Sequence, residues 1–263
     1  MNTKTLRIRT AGVAFPLFLL MFAQPLRAQT DICIPQFVDG ASGGLRWQTT
    51  LVLYNQTMSQ AQPMLQLYNT AGQPFSGMMM NRLGPGGMQF PVGSNGQLSP
   101  NPINARSMIS YRSPGTGPFQ SGFMMIQSQA RIQAHALLHL YDATGNLFSE
   151  TGIVPHAPFS VGSFWMNPSG GARFGLAMAN SSGTNPATVT LEFFGEDGTT
   201  PLGTSTLQLG PRTQIARFVD EWFTAIAPGT IGFVRVTAAN AVCGLVLQLR
   251  GMVMTQIPVL IEN

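Results

Sequence analysis

Residues 42–55 read SGGLRWQTTLVLYN, and residues 169–180 read SGGARFGLAMAN. In each phrase a glycine pair marks a tight turn, and the letters after it run into a strand. Within LVLYN, Leu51 and Leu53 point one way while Val52 and Tyr54 point the other. That period of two belongs to a half-buried antiparallel strand. Leu51, Leu53 and Asn55 return as Leu176, Met178 and Asn180, offset by 125 positions. Leu65, Leu67 and Gly72 return as Leu191, Phe193 and Gly198, and Leu83-Gly84-Pro85 as Leu209-Gly210-Pro211, all offset by 126. Gly122-Phe123 returns as Gly232-Phe233 at an offset of 110, as a loop of different length would cause. An order kept across so many matches is the mark of an internal repeat.

The rest of the chain has the same character. TVTLEFF (188–194) places Val189, Leu191 and Phe193 on one face, opposite Thr188, Thr190 and Glu192. Turn signals separate the strands: Asn69-Thr70-Ala71-Gly72, Asp142-Ala143-Thr144-Gly145 and Gly195-Glu196-Asp197-Gly198. Charge is sparse, and turn-forming residues are plentiful, including 29 Gly and 19 Pro. The expected fold is all-β: two tandem immunoglobulin-like β-sandwich domains from an internal duplication, after a signal peptide. The boundaries are 1–28 for the signal, 29–157 for the first domain and 158–263 for the second, with a linker at Pro155-His156-Ala157-Pro158. The spacing predicts strands near 46–54, 131–141, 187–194, 231–237 and 241–250, and one helical turn at Asp220–Phe223.

Lys4, Arg7 and Arg9 precede the apolar run Ala11–Phe22, and small Ala28 closes the polar stretch that comes next. This is the layout of a secretory signal, with cleavage expected after Ala28 and a secreted, periplasmic or cell-surface destination. Four of the 14 basic residues leave with it, so ten Arg face ten Asp and Glu in the mature chain. The basic balance belongs to the signal, and no arginine cluster remains for nucleic acid. No later segment is long and apolar enough for a membrane-spanning helix.

The phrases IPQFVDG, GGLRWQTTLVLYN and LGPGG or LGPRT, with the Asn that closes the second strand, resemble the uncharacterised secreted bacterial proteins built from tandem β-sandwich units. The resemblance covers nearly all of the mature chain. Its motifs are structural and imply no activity, cofactor or catalytic residue.

Chemical motifs are few. His135 and His139 have the spacing of a helical zinc pair, but on a strand four residues span about 13 Å. The bland reading, two half-exposed strand histidines, is preferred. Gly40-Ala41-Ser42-Gly43-Gly44 has the letters of a hydrolase nucleophile elbow, yet the residues after it read as a strand where the elbow requires a helix. Glu196-Asp197 and Asp220-Glu221 are sequence neighbours, unsuited to a dyad across a cleft. Met78-Met79-Met80 reads as adaptable core filling rather than a copper site. Trp47 and Trp165 read as core or rim. No catalytic, cofactor or metal residue is assigned.

The expected function is a secreted or surface-exposed, non-catalytic structural or interaction module acting through sheet faces and edges, its partner an unknown protein or glycan at the cell surface. The alternative is a carbohydrate-binding module with Tyr54, Tyr68 and Trp222 as glycan contacts. Two aromatics in line on one open sheet would favour that alternative. Cys33 and Cys243 fall in different copies of the repeat. Two separate domains in a row would hold them beyond the roughly 7 Å Cα separation that a bridge allows, so free thiols are expected.

Overall fold

The computed structural model describes residues 30–84 and 86–262. The expected signal segment lies outside the described residues. The described chain is all-β, with a single α-helical turn. Its strands are β1 (Thr30–Ser42), β2 (Leu45–Asn55), β3 (Met64–Asn69), β4 (Met79–Leu83), β5 (Gln89–Pro91), β6 (Gln97–Leu98), β7 (Met108–Arg112), β8 (Gln120–Ser128), β9 (Ile132–Tyr141) and β10 (Leu147–Ile153). They continue as β11 (Phe159–Met166), β12 (Ala172–Ala179), β13 (Ala187–Gly195), β14 (Pro201–Leu209), β15 (Gln214–Phe218), α1 (Val219–Trp222), β16 (Gly232–Arg250), β17 (Val253–Ile257) and β18 (Leu260–Ile261).

The phrase SGGLRW folds as its letters require. Gly43 and Gly44 take φ of 58° and 77°, the two left-handed residues of a tight hairpin turn between β1 and β2. Gly170 and Gly171 take φ of 67° and 76° just before β12.

Two sheets result. In the first, the order is β5-β4-β7-β2-β1-β8-β3-β6, with β9 on β2 and β10 beyond β9. In the second it is β14-β13-β16-β11-β18, with β12 and β17 also on β16 and β15 on β12. Long strands change neighbours part-way. Residues 30–39 of β1 pair with β8 and residues 40–42 with β2. In β16 the first part pairs with β11 and β13, and the part from Cys243 with β12 and β17. The two strands expected at 231–237 and 241–250 are therefore one, because extended residues 238–242 carry the chain directly between neighbours.

Each sheet gathers its own core. Leu51, Leu53, Leu65, Leu67, Met124 and Ile126 meet in the first, and Leu176, Met178, Leu191, Phe193, Val234 and Val246 in the second. Each such side chain contributes about 1.5–3 kcal/mol by leaving water. A buried asparagine closes the strand that opens each core. Asn55 Nδ2 donates to the carbonyls of Ser59, Ile103 and Asn104, and its Oδ1 accepts from Thr57 N. Asn180 Nδ2 donates to the carbonyls of Asn185, Leu209 and Gly210, and its Oδ1 accepts from Ser182 N. Gly122 and Gly232 lie where a Cβ would overlap the carbonyl oxygens of Tyr68 and Phe194 respectively, so any side chain would push β3 or β13 away.

The cysteine expectation is corrected. Cys33 and Cys243 form a disulfide, with Cα atoms 6.2 Å apart. Separate domains in a row would keep them apart, but the two sheets pack side by side. The outer face of β3, β8 and β1 lies against β12 and β16, burying both cysteines with Tyr68, Phe123, Met125 and Ala179. Ala177 and Leu245 of the second sheet join the first core. Polar bonds fasten the same boundary: Gln214 N donates to Thr70 O at 3.2 Å, and Gln214 Nε2 to Gln36 Oε1 at 2.6 Å. A link across 210 residues restricts the unfolded chain by roughly 5 kcal/mol in the chain-entropy model.

Candidate functional site

The aromatic residues singled out from the sequence stand on three separate elements. Tyr54, on β2, is half-buried. Tyr68, on β3, is buried at the boundary, stacked on Phe123 and covered by the Arg212 guanidinium 5.1 Å from its ring centre. Trp222, on α1, is half-buried against the second core, with Arg217 over its ring. Tyr68 offers no open ring face to a sugar.

The outer face of the second sheet carries a different set. Trp165 on β11 pairs directly with Phe233 on β16, which pairs on its other side with Phe194 on β13. Directly opposed residues share one face of a sheet, so the three rings form a row across three strands. Phe194 and Phe233 stack, with centroids 5.0 Å apart and planes 11° from parallel. Trp165, expected in the core or at a rim, is 53% exposed. It lies between Phe164 and Met166, both buried, so strict alternation turns it to solvent. The next row is polar: Ser163, Arg235 and Glu192 are opposed, and Arg235 bonds Glu262 at 2.9 Å while its Nε has no partner among the described residues.

Phe194 and Phe233 have counterparts in Tyr68 and Phe123. The latter are also directly paired across neighbouring strands and stacked, at 5.3 Å and 24°. The pair on the first sheet is buried beneath the second sheet; the pair on the second sheet is half-buried.

A concavity lies between the sheets. It has a volume of about 510 Å³ and a mostly apolar wall, to which Trp47, Phe119, Leu138, Ala216, Phe218 and Leu247 contribute. Size, apolar lining and position at an internal boundary are those of ligand pockets.

His139 corrects the half-exposed reading. His135 is exposed on β9, but His139 is 2% exposed. Thr50 Oγ1 accepts from Arg112 Nε at 2.9 Å and lies 2.8 Å from His139 Nε2. His139 Nδ1 lies 2.6 Å from Glu150 Oε2, off the line of a straight hydrogen bond. Burial, then the Arg112 charge, lowers the His139 pKa, while Glu150 opposes them. The relay has the order of a nucleophilic triad, but Thr50 is 2% exposed, its hydroxyl enclosed between Arg112 and His139. Ser42 sits at the end of β1 beside the glycine turn, with a strand after it, as expected of a turn rather than an elbow. Met78 and Met80 are buried, with Met79 between them exposed.

Among the described residues, no three His, Cys, Asp or Glu side chains converge to hold a metal ion, and no helix is long and apolar enough to cross a membrane. Comparison with family models, with curated proteins and with solved structures returns no match.

Proposed function

We propose that this protein is an exported, non-catalytic interaction module of two tandem immunoglobulin-like β-sandwich domains related by duplication, and that it recognises its partner through the open face of the second. Several observations support the duplication. β2 with its neighbours β7 and β9 matches β12 with β15 and the second part of β16. Asn55 and Asn180 each hold three carbonyls and one backbone N–H, with Leu209 and Gly210 standing where Ile103 and Asn104 do rather than Leu83 and Gly84. A buried disulfide accords with an oxidising compartment, as does the N-terminal export pattern.

One observation carries the recognition surface. The stacked aromatic pair that the first sheet uses to hold its neighbour recurs on the second sheet as Phe194 and Phe233, half-buried rather than sealed and extended by the exposed Trp165. A surface of this composition is the kind that binding removes from water.

The carbohydrate alternative is favoured by the same row. A broad exposed indole beside Arg235, Glu192 and Glu262 offers an apolar face for a sugar ring and polar groups for its hydroxyls. Tyr54, Tyr68 and Trp222 yield their place in that reading to Trp165. The test is binding of labelled protein to bacterial cells and to a panel of insoluble polysaccharides, for the wild type and for Trp165→Ala with Phe233→Ser. The double variant is expected to lose at least tenfold in affinity on whichever target the wild type binds. Undiminished binding by the variant, or turnover of a target by the wild type, refutes the proposal.

A further inference from the structure

We propose that the exposed edge of β15 is a docking site for an extended peptide strand, entering the cleft between the two sheets and running antiparallel to β15. This second surface adds to the function proposed above and rests on its duplication.

Aligning Leu51 with Leu176 places Ser110, Tyr111 and Arg112 of β7 over Ala216, Arg217 and Phe218 of β15. In the first sheet those three residues receive a further strand: Leu83, Arg82 and Asn81 of β4 pair with Ser110, Tyr111 and Arg112. In the second sheet β15 pairs with β12 alone. Ala216 and Phe218 line the cleft of about 510 Å³, and Arg217 borders it between them while its guanidinium lies over the Trp222 ring. The cleft therefore lies over one face of β15, β12 and β16 and reaches the edge that β4 fills in the first sheet.

Backbone direction agrees. Gln214 N points away from β12 and donates to Thr70 O. Strand groups alternate in direction, so the N–H and C=O of Ala216 and the N–H of Phe218 also point outward, without a partner among the described residues, while the Phe218 C=O is taken up by the first turn of α1. A strand laid there repeats the β4 register. Its residue opposite Ala216 exchanges backbone hydrogen bonds with it, and the residue opposite Phe218 accepts from the Phe218 N–H.

The side chains of those two residues enter the cleft beside Trp47, Phe119 and Leu247, so they are apolar. The residue between them faces the other way, with Arg217. That guanidinium lies over the Trp222 ring and has no carboxylate within ion-pair distance among the described residues, so an Asp or Glu is favoured there. The expected ligand is an extended apolar–acidic–apolar segment of a partner protein.

The test is selection from a random octapeptide phage library on the full, disulfide-intact protein. Enriched peptides are expected to carry the apolar–acidic–apolar pattern and to weaken at least tenfold on Ala216→Pro, which removes an outward N–H without touching the β12 ladder. Arg217→Glu is expected to remove the preference for the acidic residue. Should Ala216→Pro fold poorly, ¹⁵N spectra of the wild type decide instead, with the Ala216 and Phe218 amides shifting on addition of a selected peptide. No enrichment, or peptides that leave those amides and Ala216→Pro indifferent, overturns the proposal. Trp165→Ala must leave peptide binding unchanged, which separates this site from the open aromatic face. Halves that fail to superpose would refute the duplication and with it the β4-like register, whereas superposed halves without peptide binding would overturn the docking edge alone.

Discussion

Tyr68–Phe123 and Phe194–Phe233 are the same arrangement placed in two circumstances. Both pairs join neighbouring strands, both stack, and both stand beside a glycine that admits the neighbouring carbonyl. One is sealed beneath the second sheet with a disulfide at its side; the other faces solvent. The framework beneath these pairs is alike, so what separates the two halves is what covers them. In the function proposed above, the half-exposed face and the β15 edge of the second sheet are where a partner would add what the first sheet already has.

The largest effect expected concerns the link between the halves. Cys33→Ala with Cys243→Ala should lower unfolding stability by about 4–5 kcal/mol, read from urea denaturation. A loss below about 1 kcal/mol would mean that the side-by-side packing holds without the bridge. Next, Asn55→Ala and Asn180→Ala each leave three carbonyls without their donor, at about 3 kcal/mol. The two losses should agree within about 1 kcal/mol. A large cost in one and a negligible cost in the other would break the likeness of the frameworks. Circumstance should show in Tyr68→Ala against Phe194→Ala. The buried ring is expected to cost about 3 kcal/mol and the half-buried one about 1. Equal costs would erase the contrast between covered and open pairs.

A smaller effect separates the first sheet from the second by pH. His139 is held below the ordinary histidine pKa, so on acidification the unfolded chain takes up a proton that the folded chain refuses. Its contribution is complete above the unfolded value of about 6.5 and is lost as pH falls below it towards the folded value. Denaturant midpoints at pH 7.5 and 5.5 should therefore fall more for the wild type than for His139→Asn. Equal slopes would show that the imidazole does not titrate differently in the two states.

Much of the fold is legible because its signals are local. The alternation in LVLYN and TVTLEFF, the glycine pair after Ser42 and the turn ending in Gly145 each depend on residues close together in the chain. β6 and β18, two residues each, carry too few letters to alternate and give no signal. The disulfide escapes for a different reason. The repeat assigns Cys33 and Cys243 to different copies, which is compatible with the structure, but the letters say nothing about how two sheets lean together. The candidate surface is half legible. Placing Phe193 inward already turns Phe194 outward, and the same rule turns Trp165 away from Phe164. That Trp165, Phe233 and Phe194 stand in one row depends on strand order and register, which join positions from opposite ends of the second sheet's sequence. Tyr68 does point outward from its own sheet, as a glycan contact would, and the second sheet then covers it.

Amide hydrogen exchange by NMR on the disulfide-intact protein tests the claim of like frameworks with unlike cover most directly. The Ser110 and Arg112 amides, paired with β4, should be strongly protected, while those of Ala216 and Phe218 should exchange at least a hundredfold faster in the absence of ligand. Comparable protection at the two pairs would contradict the account, because the β15 edge would then already be occupied.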